Sequence, residues 1–92
     1  MAYRIEFDPE AIQDMAKLKK SGNKAVIAKI EKLLLELMEH PATGTGQVEA
    51  LKGNLSGYWS RRINKQFRII YTIYEDIVTV MVISVKSHYG DK

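Results

Sequence analysis

The first forty residues arrange polar and apolar positions in the manner of a short strand followed by two helices. Residues 3–7 have the two-residue period of a strand. Asp8 then stands where a helix N-cap would, directly before Pro9 at the first helical position. The spacing that follows predicts a helix to about Lys20, and Ser21-Gly22 is expected to end it.

A second amphipathic helix is predicted to begin after Asn23, which is placed to cap it, and to stop before Pro41. Its apolar positions follow the i, i+3, i+4, i+7 spacing of a stripe that faces a core. The members of this stripe are Val26, Ile27, Ile30, Leu33, Leu34, Leu37 and Met38. With so short a break between them, the two helices are expected to form a hairpin.

Beyond Pro41 the period changes from helical to strand-like. Strands are predicted at residues 48–51, 58–63, 67–74 and 77–85, joined by the short turns GNLSG, NKQ and ED. Short turns join antiparallel neighbours. The sequence therefore predicts one α+β domain over residues 1–92, with an N-terminal strand and a helical hairpin on one face of a mainly antiparallel sheet of four to five strands. The opposite face is left to solvent or to a ligand.

The residue types exclude several classes of site. The chain has no cysteine, so disulfides and thiolate metal sites are excluded. His40 and His88 are far apart and lack a ligand motif, and neither a metal nor a cofactor is expected. The N-terminus has no signal-peptide pattern, and the longest apolar run, VTVMVISV, is too short to cross a bilayer as a helix. We expect a cytoplasmic protein without a membrane partner.

Positive charge is concentrated in the second half of the chain. Residues 1–50 carry seven Lys/Arg against eight Asp/Glu, whereas residues 51–92 carry seven against three. Five of these cations, and no carboxylate, lie between Lys52 and Arg68. Such a bias favours contact with a polyanion such as nucleic acid, although a basic surface also serves solubility.

Arg68 is unusual because it lies within the apolar strand FRIIYTI. Side-chain alternation places it on the face of Ile70 and Thr72, opposite Ile69 and Tyr71. A guanidinium at such a position either pairs with a carboxylate or binds an anionic ligand.

The segment LKGNLSGYWSRRINKQFRIIYTI, the two helices before it and the pair His88-Tyr89 resemble the YoeB branch of the RelE/ParE toxin superfamily. Members of this branch are ribosome-dependent mRNA endonucleases of bacterial toxin–antitoxin pairs. The resemblance spans essentially the whole chain and implies a RelE-like fold. One departure is that the type member ends at the tyrosine, whereas Gly90-Asp91-Lys92 follow Tyr89 here.

The resemblance also implies a metal-free reaction in which the ribose 2′-hydroxyl attacks the adjacent phosphate. Such a reaction needs a base, a cation beside the phosphorane and an acid for the leaving 5′-oxygen. The family's pattern assigns these roles to Glu49, Arg68 and His88 in that order, and gives Tyr89 the role of stacking on the substrate base.

A second set of basic residues is expected to bind phosphates of messenger or ribosomal RNA. Its members are Lys52, Arg61, Arg62 and Lys65. The alternative interpretation, solvated charges at the rim of the domain, remains open for them. Trp59 and Tyr71 are assigned to core packing, since their strand phase matches apolar neighbours.

The expected partners are mRNA on the ribosome, rRNA and, from the resemblance, a small antitoxin of the Phd/YefM type whose acidic C-terminal segment wraps the toxin. The resemblance also suggests a homodimer. Two other functions remain open: a ParE-like poison of gyrase, and a non-catalytic module that binds RNA or sequesters an antitoxin.

Overall fold

The computed structural model describes residues 2–44 and 47–86 of the chain. Five strands and two helices are present in these residues. In chain order they are β1 (Arg4–Phe7), α1 (Pro9–Lys20), α2 (Lys24–Glu39), β2 (Glu49–Ala50), β3 (Trp59–Arg62), β4 (Arg68–Tyr74) and β5 (Thr79–Lys86). Two single 3₁₀ turns, Gly53–Leu55 and Glu75–Ile77, precede β3 and β5.

The strands form one sheet in the order β1-β5-β4-β3-β2. β2, β3, β4 and β5 pair with one another in antiparallel fashion, whereas β1 lies parallel to β5. The predicted α+β architecture with a mainly antiparallel sheet is therefore confirmed. The predicted strands also correspond to observed ones, although β2 has only two residues.

The two helices begin differently. At α1 the Asp8 carboxylate accepts the Glu10 backbone N–H at 3.3 Å, so this side chain caps the helix as predicted. At α2 Asn23 occupies the N-cap position as predicted, but its side chain makes no capping hydrogen bond and donates instead to Ser21 Oγ at 3.0 Å. α2 ends at Glu39, two residues before Pro41.

The core lies between the helical hairpin and one face of the sheet. α2 contributes Ile30, Leu33 and Leu37, and the sheet contributes Ile69, Val80 and Val82, all at most 2% exposed. Tyr71 is fully buried in the same cluster, and half-buried Trp59 packs against it, which confirms their assignment to the core.

An irregularity in β5 changes its side-chain phase. Ile70 of β4 pairs with Ser84, but the next residue, Tyr71, pairs with Val82, so Ile83 is an extra residue on β5. A bulge of this kind lets two residues three apart point to one side. As a result Val82 and Val85 both enter the core, and Ser84 turns to the face opposite the helices.

The ionisation of two residues predicts a loss of stability at alkaline pH. Burial raises the pKa of Tyr71, against an opposing effect of Arg61, and the hydrogen bond to Glu10 raises the pKa of Lys86. Well below about pH 10 both groups are protonated in the folded and the unfolded chain. As the pH rises further, the unfolded chain releases these protons first, so the free energy of unfolding falls.

We expect urea denaturation between pH 8 and 11.5 to show this decline, and Tyr71→Phe to make it shallower. Tyr74→Phe, on the same strand but exposed, is the control and should leave the slope unchanged. An equal slope for wild type and Tyr71→Phe would contradict the assignment to Tyr71.

Candidate functional site

Two rows of side chains cross the sheet face that points away from the helices. Strand register aligns Glu49, Ser60, Ile70 and Ser84 across β2, β3, β4 and β5. Two residues along, it aligns Arg62 and Arg68. Because residues two apart on a strand share a face, both rows belong to the same one. We call this surface, defined by Glu49, Ser60, Arg62, Arg68 and Ile70, the outer face.

Glu49 opens β2, the edge strand of this sheet, and its side chain is exposed. The backbone pairing of this short strand continues beyond it, since the Leu51 N–H donates to the Tyr58 carbonyl at 2.9 Å. A carboxylate in this position can accept a proton from a ligand lying on the outer face.

Arg62 and Arg68 are register partners, at the end of β3 and the start of β4, and both are half-buried. Arg62 Nη1 donates to Gln47 Oε1 at 3.1 Å. Two guanidinium groups on one face of adjacent strands favour contact with an anionic ligand. The prediction that Arg68 lies opposite Ile69 and Tyr71 is confirmed by their burial in the core.

Ser60 is not among the site residues predicted from the sequence. It lies between Glu49 and Ile70 in the first row, it is fully buried, and within residues 2–44 and 47–86 its Oγ has no hydrogen-bond partner. A buried hydroxyl without a partner costs stability, so it usually has a structural or functional reason. A single serine has no sequence signature, and only the strand register reveals its place next to Glu49.

Lys52 and Lys65 are exposed and lie in turns next to the sheet. Lys52 directly precedes the 3₁₀ turn Gly53–Leu55. Lys65 lies between β3 and β4, in a turn where Asn64 Oδ1 accepts the N–H groups of Gln66 and Phe67, each at 2.8 Å. Both lysines are placed for electrostatic contact with a phosphate backbone, and their predicted role stays a prediction.

Unlike Lys52 and Lys65, Arg61 is not available to a ligand on the surface. Its side chain is fully buried beneath β3, on the core side, where Nη1 binds Glu36 Oε1 at 2.7 Å. Nη2 donates to the carbonyls of His40 at 2.8 Å and Thr43 at 2.7 Å. With no exposed atom to offer to a phosphate, the predicted RNA-binding role is wrong for Arg61. Alternation along β3 points successive side chains to opposite faces, which separates Arg61 from Arg62.

His88 and Tyr89 lie outside the described residues. The described chain ends at Lys86, the register partner of Arg68. The Lys86 ammonium binds Glu10 at 2.7 Å and Asp14 at 3.3 Å, and Asp14 Oδ2 also accepts the Val85 N–H at 2.9 Å. These contacts fix the end of β5 to α1 at a point two residues before His88.

Residues 2–44 and 47–86 contain neither a cluster of metal ligands nor a helix that could span a membrane. No group of three potential metal ligands occurs there. Neither helix in this part of the chain has the length and apolar composition that a bilayer crossing requires.

A sequence profile described as "YoeB-like toxin of bacterial type II toxin-antitoxin system" matches residues 7–89. The chain belongs to this family. Among its relatives is the toxin YoeB of Mycobacterium bovis, which is 36% identical over 92% of this chain and 96% of the relative. The mRNA interferase toxin RelE of Escherichia coli is 29% identical over 92% of this chain and 82% of its own length.

Solved structures of the same family share the fold. The YoeB dimer of Staphylococcus aureus has a TM-score of 0.82 and 36% identity, covering 97% of this chain and 100% of that one. The YoeB-YefM complex of the same species has a TM-score of 0.80 and 37% identity, with the same coverage. The RelE-like fold expected for this YoeB-like toxin is thereby confirmed.

Proposed function

We propose that this YoeB-like toxin is a ribosome-dependent endoribonuclease that cuts mRNA in the A site. The observation that carries the proposal is the outer face, on which strand register brings an exposed carboxylate, Glu49, to the same side as Arg62 and Arg68. A base and two cations on one surface are suited to a reaction that removes a proton and builds negative charge on a phosphate.

In the proposed reaction Glu49 takes the proton of the ribose 2′-hydroxyl, and the 2′-oxygen attacks the adjacent phosphorus. Arg68 stabilises the additional charge on the phosphorane oxygens. The bond to the 5′-oxygen breaks as His88 gives that oxygen a proton, leaving a 2′,3′-cyclic phosphate and a 5′-hydroxyl. Tyr89 stacks on a base and holds the nucleotide in place. No step requires a metal.

The exposed residues Lys52 and Lys65, together with half-buried Arg62, bind phosphates of mRNA or rRNA in this proposal. Their contribution is electrostatic, so binding weakens as the salt concentration rises. The fully buried Arg61 has no part in this contact.

We further propose that a YefM-like antitoxin binds this toxin, and that the toxin acts in the cytoplasm, where ribosomes are found. The complex of Staphylococcus aureus YoeB with YefM supports the first point, since its toxin is 37% identical to this chain. The Staphylococcus aureus YoeB dimer supports a homodimer of this chain in the same way.

The test is to map cleavage on mRNA held in programmed ribosomes. We expect a cut within the A-site codon that yields a 2′,3′-cyclic phosphate and disappears when the attacking nucleotide is 2′-deoxy. His88→Gln should slow the cut. His40→Gln is the matched control, because the His40 side chain is exposed and its carbonyl bond to Arg61 does not depend on the side chain. Growth inhibition without any cut would contradict the proposal and favour gyrase or simple occlusion of the ribosome.

A further inference from the structure

Arg61 holds the chain that follows α2 in one shape. Besides Glu36, its guanidinium binds the carbonyls of His40 and Thr43, and the hydroxyl of Tyr71 donates to the Pro41 carbonyl at 2.7 Å. Three carbonyls within four residues are thus fixed by side chains of β3 and β4. We call Arg61, Glu36 and Tyr71, with the segment of residues 40–44 that they hold, the Arg61 anchor.

The choice of an arginine here is informative. A buried charge is costly to desolvate, and an apolar residue of similar volume often stabilises a core as well or better. An arginine whose Nη atoms donate to a carboxylate and to two carbonyls does something that an apolar residue cannot, because it fixes the direction of several carbonyls at once. The anchor therefore specifies a conformation of the segment rather than merely filling space.

Gly44 shows how tightly the segment fits. Its φ is +111°, and a Cβ built there would lie 3.0 Å from Glu36 Oε1 and 3.2 Å from Arg61 Nη1. Any side chain would therefore strain the backbone and displace the ion pair. Only glycine lets the segment lie directly against the buried charge.

The segment held by the anchor leads to Glu49. Arg62 binds Gln47, just ahead of β2, and Ser60 pairs with Glu49 within β2. The two neighbours of Arg61 in β3 therefore both contact the chain at β2. β2 has two residues and, within the described part of the chain, pairs with β3 alone. So short an edge strand has little pairing of its own to fix its position. The position of Glu49 therefore depends on the way the preceding residues are held.

We propose that the Arg61 anchor is a positioning device for the catalytic base: it sets the place of Glu49 on the outer face through residues 40–44, without touching substrate. This inference rests on the function proposed above. It gives a role in the reaction to Arg61, Glu36 and Gly44, which lie on the opposite side of β3 from the outer face.

The experiment uses Gly44→Ala and Glu36→Gln, which keep the buried arginine in place. Gly22→Ala is the matched control, because Gly22 also has a positive φ, +79°, but a Cβ there meets nothing within 4 Å. Single-turnover cleavage on programmed ribosomes is measured for each variant, alone and combined with Glu49→Gln or with Arg68→Ala.

A displaced catalytic group can cost about 100-fold in rate. We expect Gly44→Ala to slow cleavage by about 10- to 100-fold in the wild-type background and by the same factor with Arg68→Ala. Combined with Glu49→Gln its effect should shrink to less than about 2-fold, because there is no longer a base to misplace. Glu36→Gln should follow the same pattern with a smaller factor, and Gly22→Ala should cleave at the wild-type rate.

Amide hydrogen exchange gives a readout that does not depend on activity. The Leu51 N–H, bonded to Tyr58, reports on β2, and the Val85 N–H, bonded to Asp14, reports on the body of the domain. We expect Gly44→Ala to accelerate exchange at Leu51 and not at Val85. Equal acceleration at both would mean general destabilisation and would overturn the positioning role.

The two proposals fail in different ways. If Glu49→Gln cleaves at the wild-type rate, Glu49 is not the base and the positioning role falls with it. If Glu49→Gln cleaves slowly, but Gly44→Ala lowers the cleavage rate by the same factor with and without Glu49→Gln, the proposed function stands and the anchor is overturned. A wild-type rate and wild-type exchange for Gly44→Ala also overturn the anchor alone.

Discussion

Replacing Arg68 by alanine will lower the single-turnover rate of mRNA cleavage on programmed ribosomes by about 100- to 1,000-fold. The reason is the charge that develops during attack of the 2′-oxygen, when the phosphorane carries more negative charge than the ground-state phosphate. Arg68 begins β4 on the outer face, and its half-buried position limits screening by water. A cation held there by a strand needs little rearrangement as the charge appears.

Arg62→Ala is the matched control for this change, because Arg62 is the register partner of Arg68 on β3 and is also half-buried. We expect it to weaken binding to the programmed ribosome and to reduce the salt dependence of that binding, with a smaller effect on the rate at saturation. Arg68→Lys should restore part of the rate, since it keeps the charge and loses the planar, two-pronged geometry.

A saturating rate within about threefold of wild type for Arg68→Ala would contradict the assigned role, because a loss of that size is below the cost of removing one transition-state contact. If Arg62→Ala showed the large loss instead, the stabilising cation would be the neighbouring arginine. The two variants therefore decide which member of the pair faces the reacting phosphate.

The local elements of the fold could be predicted because local chemistry determines them. Asp8 and Pro9 mark the start of α1 by capping geometry, and the apolar stripe of α2 leads to the buried residues Ile30, Leu33 and Leu37. The parallel pairing of β1 with β5 could not be predicted in this way, because it joins residues more than seventy positions apart. The extra residue at Ile83 also could not be predicted, because a two-residue period assumes a regular strand.

The candidate site was less predictable than the fold. That Glu49 and Arg68 share a face follows from two register relations, Glu49 with Ser60 and Arg62 with Arg68, which only the folded sheet displays. The family resemblance named both residues without showing how they meet. Ser60 could not be predicted for a similar reason, since its position next to Glu49 depends on the pairing of β3 with β2.

Arg61 was misassigned although the sequence contained the relevant signal. Strand alternation groups it with Trp59 and Ile63, and the burial of Ile63 shows that this is the core phase. The RNA-binding prediction followed charge and adjacency to Arg62 instead. A charged residue in a core phase indicates a buried partner, and here that partner is Glu36, 25 positions earlier and on a different element.

Arg61→Ala will lower the free energy of unfolding by about 3–5 kcal/mol, the range found when one member of a buried ion pair is removed. Three effects contribute. The carbonyls of His40 and Thr43 lose their donor, Glu36 loses its countercharge, and the deleted side chain leaves a cavity. Because domains of this size are stable by only about 5–15 kcal/mol, the loss should be evident in urea denaturation as a large shift of the midpoint.

Arg62→Ala serves again as the control, with an expected loss of no more than about 1 kcal/mol, because its partner Gln47 is exposed. Arg61→Met should fall between the two, since it refills the cavity but leaves the carbonyls without donors. If Arg61→Ala were as stable as Arg62→Ala, water would be satisfying the carbonyls of His40 and Thr43. That segment would then be held by Tyr71 alone, and the arginine would contribute nothing to its shape.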